Sequence, residues 1–120
     1  MATEARLAAE RRGRRAETIA AWWLRFHGYR IVGRRVRTHV GEIDLVARRG
    51  GTLAFIEVKA RDRLDNALAA LHPAALARVA RAANALTDRY GRGCTTVRID
   101  AVLIVRGHWP RHYRGVWRGG

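Results

Sequence analysis

Two carboxylates and one ammonium occur in two neighbouring apolar runs. Asp44 lies in the run Glu42 to Arg48, and Glu57 and Lys59 lie in the run Thr52 to Ala60. Between them stands Gly50-Gly51, a dipeptide suited to a tight hairpin turn. If these two glycines are the turn, the register follows: Arg49 faces Thr52, Ala47 faces Ala54, Leu45 faces Ile56 and Ile43 faces Val58. That places an apolar ladder on one face. The other face carries Asp44 opposite Glu57 and Glu42 opposite Lys59, with Val46 against Phe55. A four-residue loop preserves this register, whereas a three-residue loop flips one strand and buries its charges.

Directly opposed residues of an antiparallel pair have Cβ atoms about 4.5–5.5 Å apart, so two carboxylates there repel unless a positive charge lies between them. A divalent cation satisfies that requirement. An all-oxygen donor set suits Mg²⁺ or Mn²⁺, which retain waters that can be activated for attack. Lys59, two residues after Glu57, points to the same face. Its ammonium is suited to orienting or deprotonating a water, or to stabilising charge that develops on a phosphate.

Composition sharpens this reading. Of the 24 basic residues, Lys59 is the only lysine; the rest are arginine. A compact ammonium differs chemically from a permanently charged planar guanidinium, so the lysine has the mark of a specific role. The competing reading is a surface ladder of ion pairs on a solvent-facing hairpin. Leu53 and Phe55 argue against it, because they make the same face partly apolar and therefore partly covered.

Around this hairpin the pattern predicts one compact α/β unit. Ala16 to His27 has apolar residues at helical spacing and ends at Gly28, a suitable stop; the helix can start as early as Glu4, with Gly13 interrupting its upstream half. Tyr29 to Val36 reads as a first strand. Leu64 to Tyr90 is alanine-rich and helical, with Pro73 suited to a first turn, Gly91 to an end, and a short separate turn before His72. Thr96 to Val105 is a β-branched strand, and Gly107 onward reads as a loop or fraying tail. The expected order is helix, three strands, helix, strand, forming a mixed sheet with an antiparallel hairpin flanked by helices. All of residues 1–120 are expected to form one domain, with basic, frayed ends at about 1–12 and 107–120.

The 120 residues, 48% of them hydrophobic, suffice for one core, and a formal charge of +14 spread along the chain favours a polyanionic partner. Nucleic acid, DNA above all, is the leading partner, since arginine forks pair bidentately with phosphate. Arg14, Arg15, Arg35 and Arg61 are the candidate phosphate contacts. The single cysteine, Cys94, the lack of a long apolar run and a charged N-terminus point to a reducing cytoplasm, without signal peptide or membrane span. His27, His39, His72, His108 and His112 have no metal-ligand spacing, and Asp100 reads as structural. Trp22 and Trp23 are adjacent on a helix and cannot both face the core, so the more exposed one stacks on a base, joins an interface or is merely half-buried. Trp109, Tyr113 and Trp117 either engage a partner or carry the tail back onto the sheet.

Gly41-Glu42-Ile43-Asp44-Leu45-Val46, followed by Phe55-Ile56-Glu57-Val58-Lys59-Ala60-Arg61, resembles the Asp…Glu-x-Lys core of the PD-(D/E)xK nuclease superfamily. With Gly13-Arg14-Arg15-Ala16-Glu17 upstream and Arg98-Ile99-Asp100-Ala101-Val102 downstream, the chain more closely resembles the YraN-type bacterial family, from about Gly13 to Val105. The resemblance implies a restriction-endonuclease-like core similar to that of archaeal Holliday-junction resolvases. It implies Asp44 and Glu57 as metal ligands, Lys59 as the catalytic lysine and Glu17, on the first helix, as a further carboxylate of the site. A homodimer follows by the same analogy, since cutting two strands needs two sites. The chain departs from the pattern at Ala75-Leu76-Ala77, where a Lys-Gln-Arg-like polar cluster is expected. The resulting expectation is a Mg²⁺- or Mn²⁺-dependent endonuclease acting on DNA, branched or single-stranded. The alternative is a nucleic-acid-binding module of the same fold with little or no catalysis.

Overall fold

In the computed structural model, residues 2–117 are described. Helix α1 runs from Ala2 to Phe26 without a break at Gly13. A lone glycine costs a helix only about 1 kcal/mol, which the flanking turns of alanine and arginine absorb. Ala16, Ala20, Ala21 and Leu24 form its buried stripe, and the small alanines let the helix lie close on the sheet. The helix stops at Gly28, whose φ of 87° is in the left-handed region, and the Tyr29 N–H donates back to the Leu24 carbonyl at 3.0 Å. That closure seats Tyr29 in the core.

Five strands follow in sheet order β1-β2-β3-β4-β5: Arg30–Thr38, Gly41–Arg49, Thr52–Arg61, Thr96–Val105 and Arg111–Tyr113. β1, β2 and β3 form an antiparallel meander. β4 lies parallel to β3, so the chain between them must cross over, and α2 (Leu64–Ala69) and α3 (Pro73–Tyr90) make that crossing. Pro73 occupies the first turn of α3, and Nδ1 of His72 accepts from the Ala75 N–H at 3.2 Å, capping the helix. Ala75 and Leu76, which stand where a polar cluster was expected, are buried in the core.

The sheet separates two apolar layers. Leu45, Ala47, Ala54, Ile56, Val58 and Val102 pack under α1. Val46, Leu53, Phe55, Val79 and Leu86 join α3 to the opposite face. The mixed α/β fold, with an antiparallel hairpin in a sheet flanked by helices, is therefore as the sequence predicts.

Three expectations are corrected. The hairpin register holds from Arg49↔Thr52 to Leu45↔Ile56, but the ladder ends there, so Asp44↔Glu57 and Ile43↔Val58 are not strand pairs. Ile43 moreover packs with Val36 and Val46 on the α3 side, although Leu45, two residues on, faces α1. Regular alternation would put both on one face, so the pleat is broken at the intervening Asp44. Across from Asp44, Arg35 is the one non-glycine residue with positive φ, 48°, among the described residues. Lastly, the segment after Gly107 is no loose tail: β5 pairs antiparallel with β4, and the Val116 N–H donates to the Ile99 carbonyl at 2.8 Å. Residues 118–120, the end of that expected tail, and Met1 lie outside the described residues.

Candidate active site

The break in β2 is what builds the site. Where β2 parts from β3, the Asp44 carboxylate takes the place of a strand carbonyl, its Oδ2 accepting from the Val58 N–H at 2.8 Å. Asp44 thus reaches β3 through its side chain and sits beside Glu57. Burial, reinforced by the Glu57 carboxylate, holds the Asp44 carboxyl up to about 8, against the partial relief of the Val58 N–H and the Lys59 charge. Near neutral pH and without a cation the Asp44 carboxyl therefore keeps its proton.

Lys59 follows on β3, with its Nζ 3.6 Å from Oε1 of Glu57; the two side chains are only 27% and 15% exposed. Glu17 reaches the same region from α1. Burial raises its carboxyl above the ordinary range, the hydrogen bond from Arg35 lowers it, and the Asp44 charge raises it again. The Asp44 charge is thus felt at Glu17. Arg35 Nε donates to Glu17 Oε1 at 2.6 Å, so Arg35 is a partner of the site carboxylate. Nothing in the sequence singles out this arginine from 22 others. Its positive φ is a local cost of order 1–3 kcal/mol, offset by the fold that holds it against Glu17.

The expected opposition of Glu42 and Lys59 is not formed. Having left β3, this end of β2 faces β1, and Glu42 pairs with Arg37 at 3.3 Å instead. An open cleft of about 470 Å³ lies beside Glu17, lined also by Arg14, Arg35, Arg37 and Glu42. Arg15 is exposed on α1, and Arg61 is exposed at the end of β3, donating to the Ala60 carbonyl.

Among the described residues no three His, Cys, Asp or Glu side chains converge as a ligand group. A buried Asp44 carboxyl beside the largely buried Glu57 nevertheless fits a hard divalent cation, because Mg²⁺ is commonly held by one or two carboxylates and keeps most of its waters. A cation there would replace the Asp44 proton.

The raised Asp44 carboxyl has a testable consequence. Its contribution to stability is fully present below its ordinary value of 3.8 and is lost as pH rises through about 8. In the absence of divalent ions the thermal midpoint should therefore decline over that interval, and the decline should flatten in Asp44→Asn. Added Mg²⁺ should raise the midpoint more at about pH 8 than at about pH 6, since binding displaces a proton. Equal pH slopes in the two proteins would place the proton elsewhere.

Asp100, in the middle of β4, is wholly buried in a separate network. Arg98 donates to both its oxygens at 2.8 Å, His112 Nε2 lies 2.8 Å from Oδ2, and the Gly115 N–H donates to Oδ1 at 3.0 Å. Arg98 also donates to the Tyr29 hydroxyl at 2.7 Å. The arrangement ties β5 and the following chain to the sheet, one strand over from Glu57, since Asp100 is opposite Ile56 in the β3–β4 pairing. Among the described residues no helix is long and apolar enough to cross a membrane.

Comparison with known proteins finds relatives along nearly the whole chain. A UPF0102 protein of Sphingopyxis alaskensis is 57% identical over 113 residues, covering 94% of this chain and 97% of the relative. Another from Rhizorhabdus wittichii is 55% identical over 114 residues, covering 95% and 97%. A third, from Parvibaculum lavamentivorans, is 52% identical over 113 residues, covering 93% and 85%. The family model described as Uncharacterised protein family UPF0102 matches residues 16–104, a span that holds Glu17, Asp44, Glu57 and Lys59. With the family model spanning most of the chain and relatives above half identity along its length, this protein belongs to the UPF0102, or YraN-type, family.

Proposed function

We propose that this protein is a Mg²⁺- or Mn²⁺-dependent endonuclease that hydrolyses phosphodiester bonds in DNA, with Asp44 and Glu57 as ion ligands and Lys59 acting on the scissile phosphate. The observation that carries the reading is the desolvated Asp44–Glu57 pair with the chain's sole lysine 3.6 Å from Glu57. Resemblance of the surrounding residues to the Asp…Glu-x-Lys nuclease pattern supports it.

A bound ion supplies a water of lowered pKa and neutralises charge on the phosphate. The protein's own groups do the rest. Lys59 presents a donor to a non-bridging phosphate oxygen, where negative charge grows in the transition state. Its partial burial lowers the local dielectric and strengthens that interaction. Asp44 and Glu57 hold their positions because one is anchored on the Val58 N–H and the other belongs to the central strand. Glu17 is a positioning carboxylate whose charge Arg35 offsets. In the cleft beside Glu17, Arg35 and Arg37 are paired with Glu17 and Glu42, so Arg14 is the arginine there that is proposed to meet a DNA phosphate.

A second reading, a nucleic-acid-binding module without strong catalysis, draws on one observation: Arg35 occupies Glu17, leaving two carboxylates for an ion. The readings separate in a cleavage and binding assay on labelled single-stranded, duplex, flap and four-way-junction DNA with Mg²⁺ or Mn²⁺. Wild type should cut at least one substrate and Asp44→Ala none. Salt-sensitive binding by both proteins with no cutting by either would favour the module, and neither binding nor cutting at moderate salt would remove support from both.

A further inference from the structure

Beside the cleft, α1 carries a face that the proposed hydrolysis does not use. Ile19, Trp22, Trp23, Phe26, Trp109 and Pro110 line an open apolar groove of about 450 Å³. Its large side chains are turned outward: Trp22 is 57% exposed, Phe26 83% and Trp109 80%. Trp109 is brought to Trp23, ring centres 6.0 Å apart, by the turn between β4 and β5, so two segments distant in sequence complete one aromatic surface. Arg25 lies over the Trp22 ring at 5.1 Å.

Charge decides what such a surface accepts. At the groove itself Arg34 donates to the hydroxyl of Thr18, one of the lining residues, at 3.1 Å, and no acidic side chain lines it. Residues 105–117 contribute Arg106, Arg111 and Arg114 and no acid. Two copies of this face docked together would bring arginine against arginine. An acidic strand with flat apolar groups satisfies both features, since its phosphates meet the arginines and its bases meet the rings. In a duplex the base faces are already stacked on one another, so only unpaired bases can use the rings.

We infer that this groove is a stacking platform for unpaired nucleobases of a single-stranded segment of the nucleic acid. The inference rests on the proposed nucleic-acid chemistry and specifies its substrate class. At about 100° per residue Trp22 and Phe26 stand roughly 140° and 180° around α1 from Glu17, so the platform lies on the outer face of the helix, apart from the carboxylate pair. Arg15, Ile19, Trp22 and Phe26 recur on one stripe of α1, so the basic and aromatic groups form one track.

The test measures affinity by fluorescence anisotropy in the presence of EDTA, so that no strand is cut. The probes are labelled oligothymidylate, an abasic strand of equal length and an equal-length duplex. Wild type should bind oligothymidylate about ten- to hundredfold more tightly than the abasic strand. The double variant Trp22→Ala, Trp109→Ala should lose that preference while binding the abasic strand and duplex as wild type does. Trp22→Phe, Trp109→Phe, which keeps flat rings, should retain most of it. Both tryptophans are exposed, so the core is untouched. Equal wild-type affinity for the two single strands, or a preference that survives in the alanine variant, overturns the platform. So does a variant whose only change is loss of a dimer in sedimentation, which assigns the groove to a second copy. Base-dependent binding lost in the alanine variant, together with no cleavage in Mg²⁺, upholds the platform while counting against the nuclease.

Discussion

Lys59→Ala is expected to slow DNA cleavage about 10²- to 10⁴-fold while leaving DNA affinity at moderate salt nearly unchanged. The size follows from position. Lys59 is half-buried beside Glu57, where a donor aimed at developing phosphate charge is screened far less than at the surface. Affinity should hardly move, because one charge is a small part of a formal +14 distributed along the chain. Lys59→Arg should restore little, since a planar fork on a longer, stiffer head cannot place a single donor where the ammonium stood. Single-turnover cleavage with enzyme in excess separates this loss from product release. Undiminished single-turnover cleavage in Lys59→Ala would remove Lys59 from the chemistry and leave the carboxylate pair to be explained alone.

Asp100→Ala should be the most destabilising of these substitutions, at about 3–5 kcal/mol. The carboxylate is wholly buried and accepts from Arg98, Gly115 and His112, so its removal leaves the Arg98 guanidinium beside an emptied site. For a chain of this length that corresponds to a thermal midpoint lower by about 10–20 °C. Acid should do part of the same. Burial pushes the Asp100 carboxyl up, but the bonds from His112, Arg98 and the Gly115 N–H outweigh it and hold the group near 2, below its ordinary 3.8. Its stabilisation is therefore complete above about pH 4 and is lost as pH falls through about 2, amounting to about 2 kcal/mol. Denaturant melts across that interval should show the loss in wild type and not in Asp100→Ala. A loss under about 1 kcal/mol for Asp100→Ala would mean that the β5 segment is held by its strand pairing alone.

The two substitutions also divide the molecule's labour. Asp100 secures the strand that positions Trp109, and Lys59 belongs to the strand that carries the carboxylates. A protein melted by the first should lose everything together, whereas one altered at the second should keep its fold.

Much of this was legible in the residues themselves, for a local reason. The hairpin register from Arg49↔Thr52 to Leu45↔Ile56 follows from Gly50-Gly51 and alternation. The end of α1 follows from Gly28, and the limits of α3 from Pro73 and Gly91, because turn, cap and stop chemistry acts within a few residues. Asp44, Glu57 and Lys59 were nameable because type and spacing on two adjoining strands limit what they can do. Only the tertiary structure decided how they meet. Asp44 was expected to oppose Glu57 in a ladder and instead leaves the ladder to accept from Val58, because Arg35 and Asp44 break the pleat together. The bond from Arg35 to Glu17 spans 18 residues, the one from Arg98 to Tyr29 spans 69, and β5 exists only against β4. Such contacts form when packing brings distant segments together, and a three-residue strand or one arginine among many carries no periodicity to announce them.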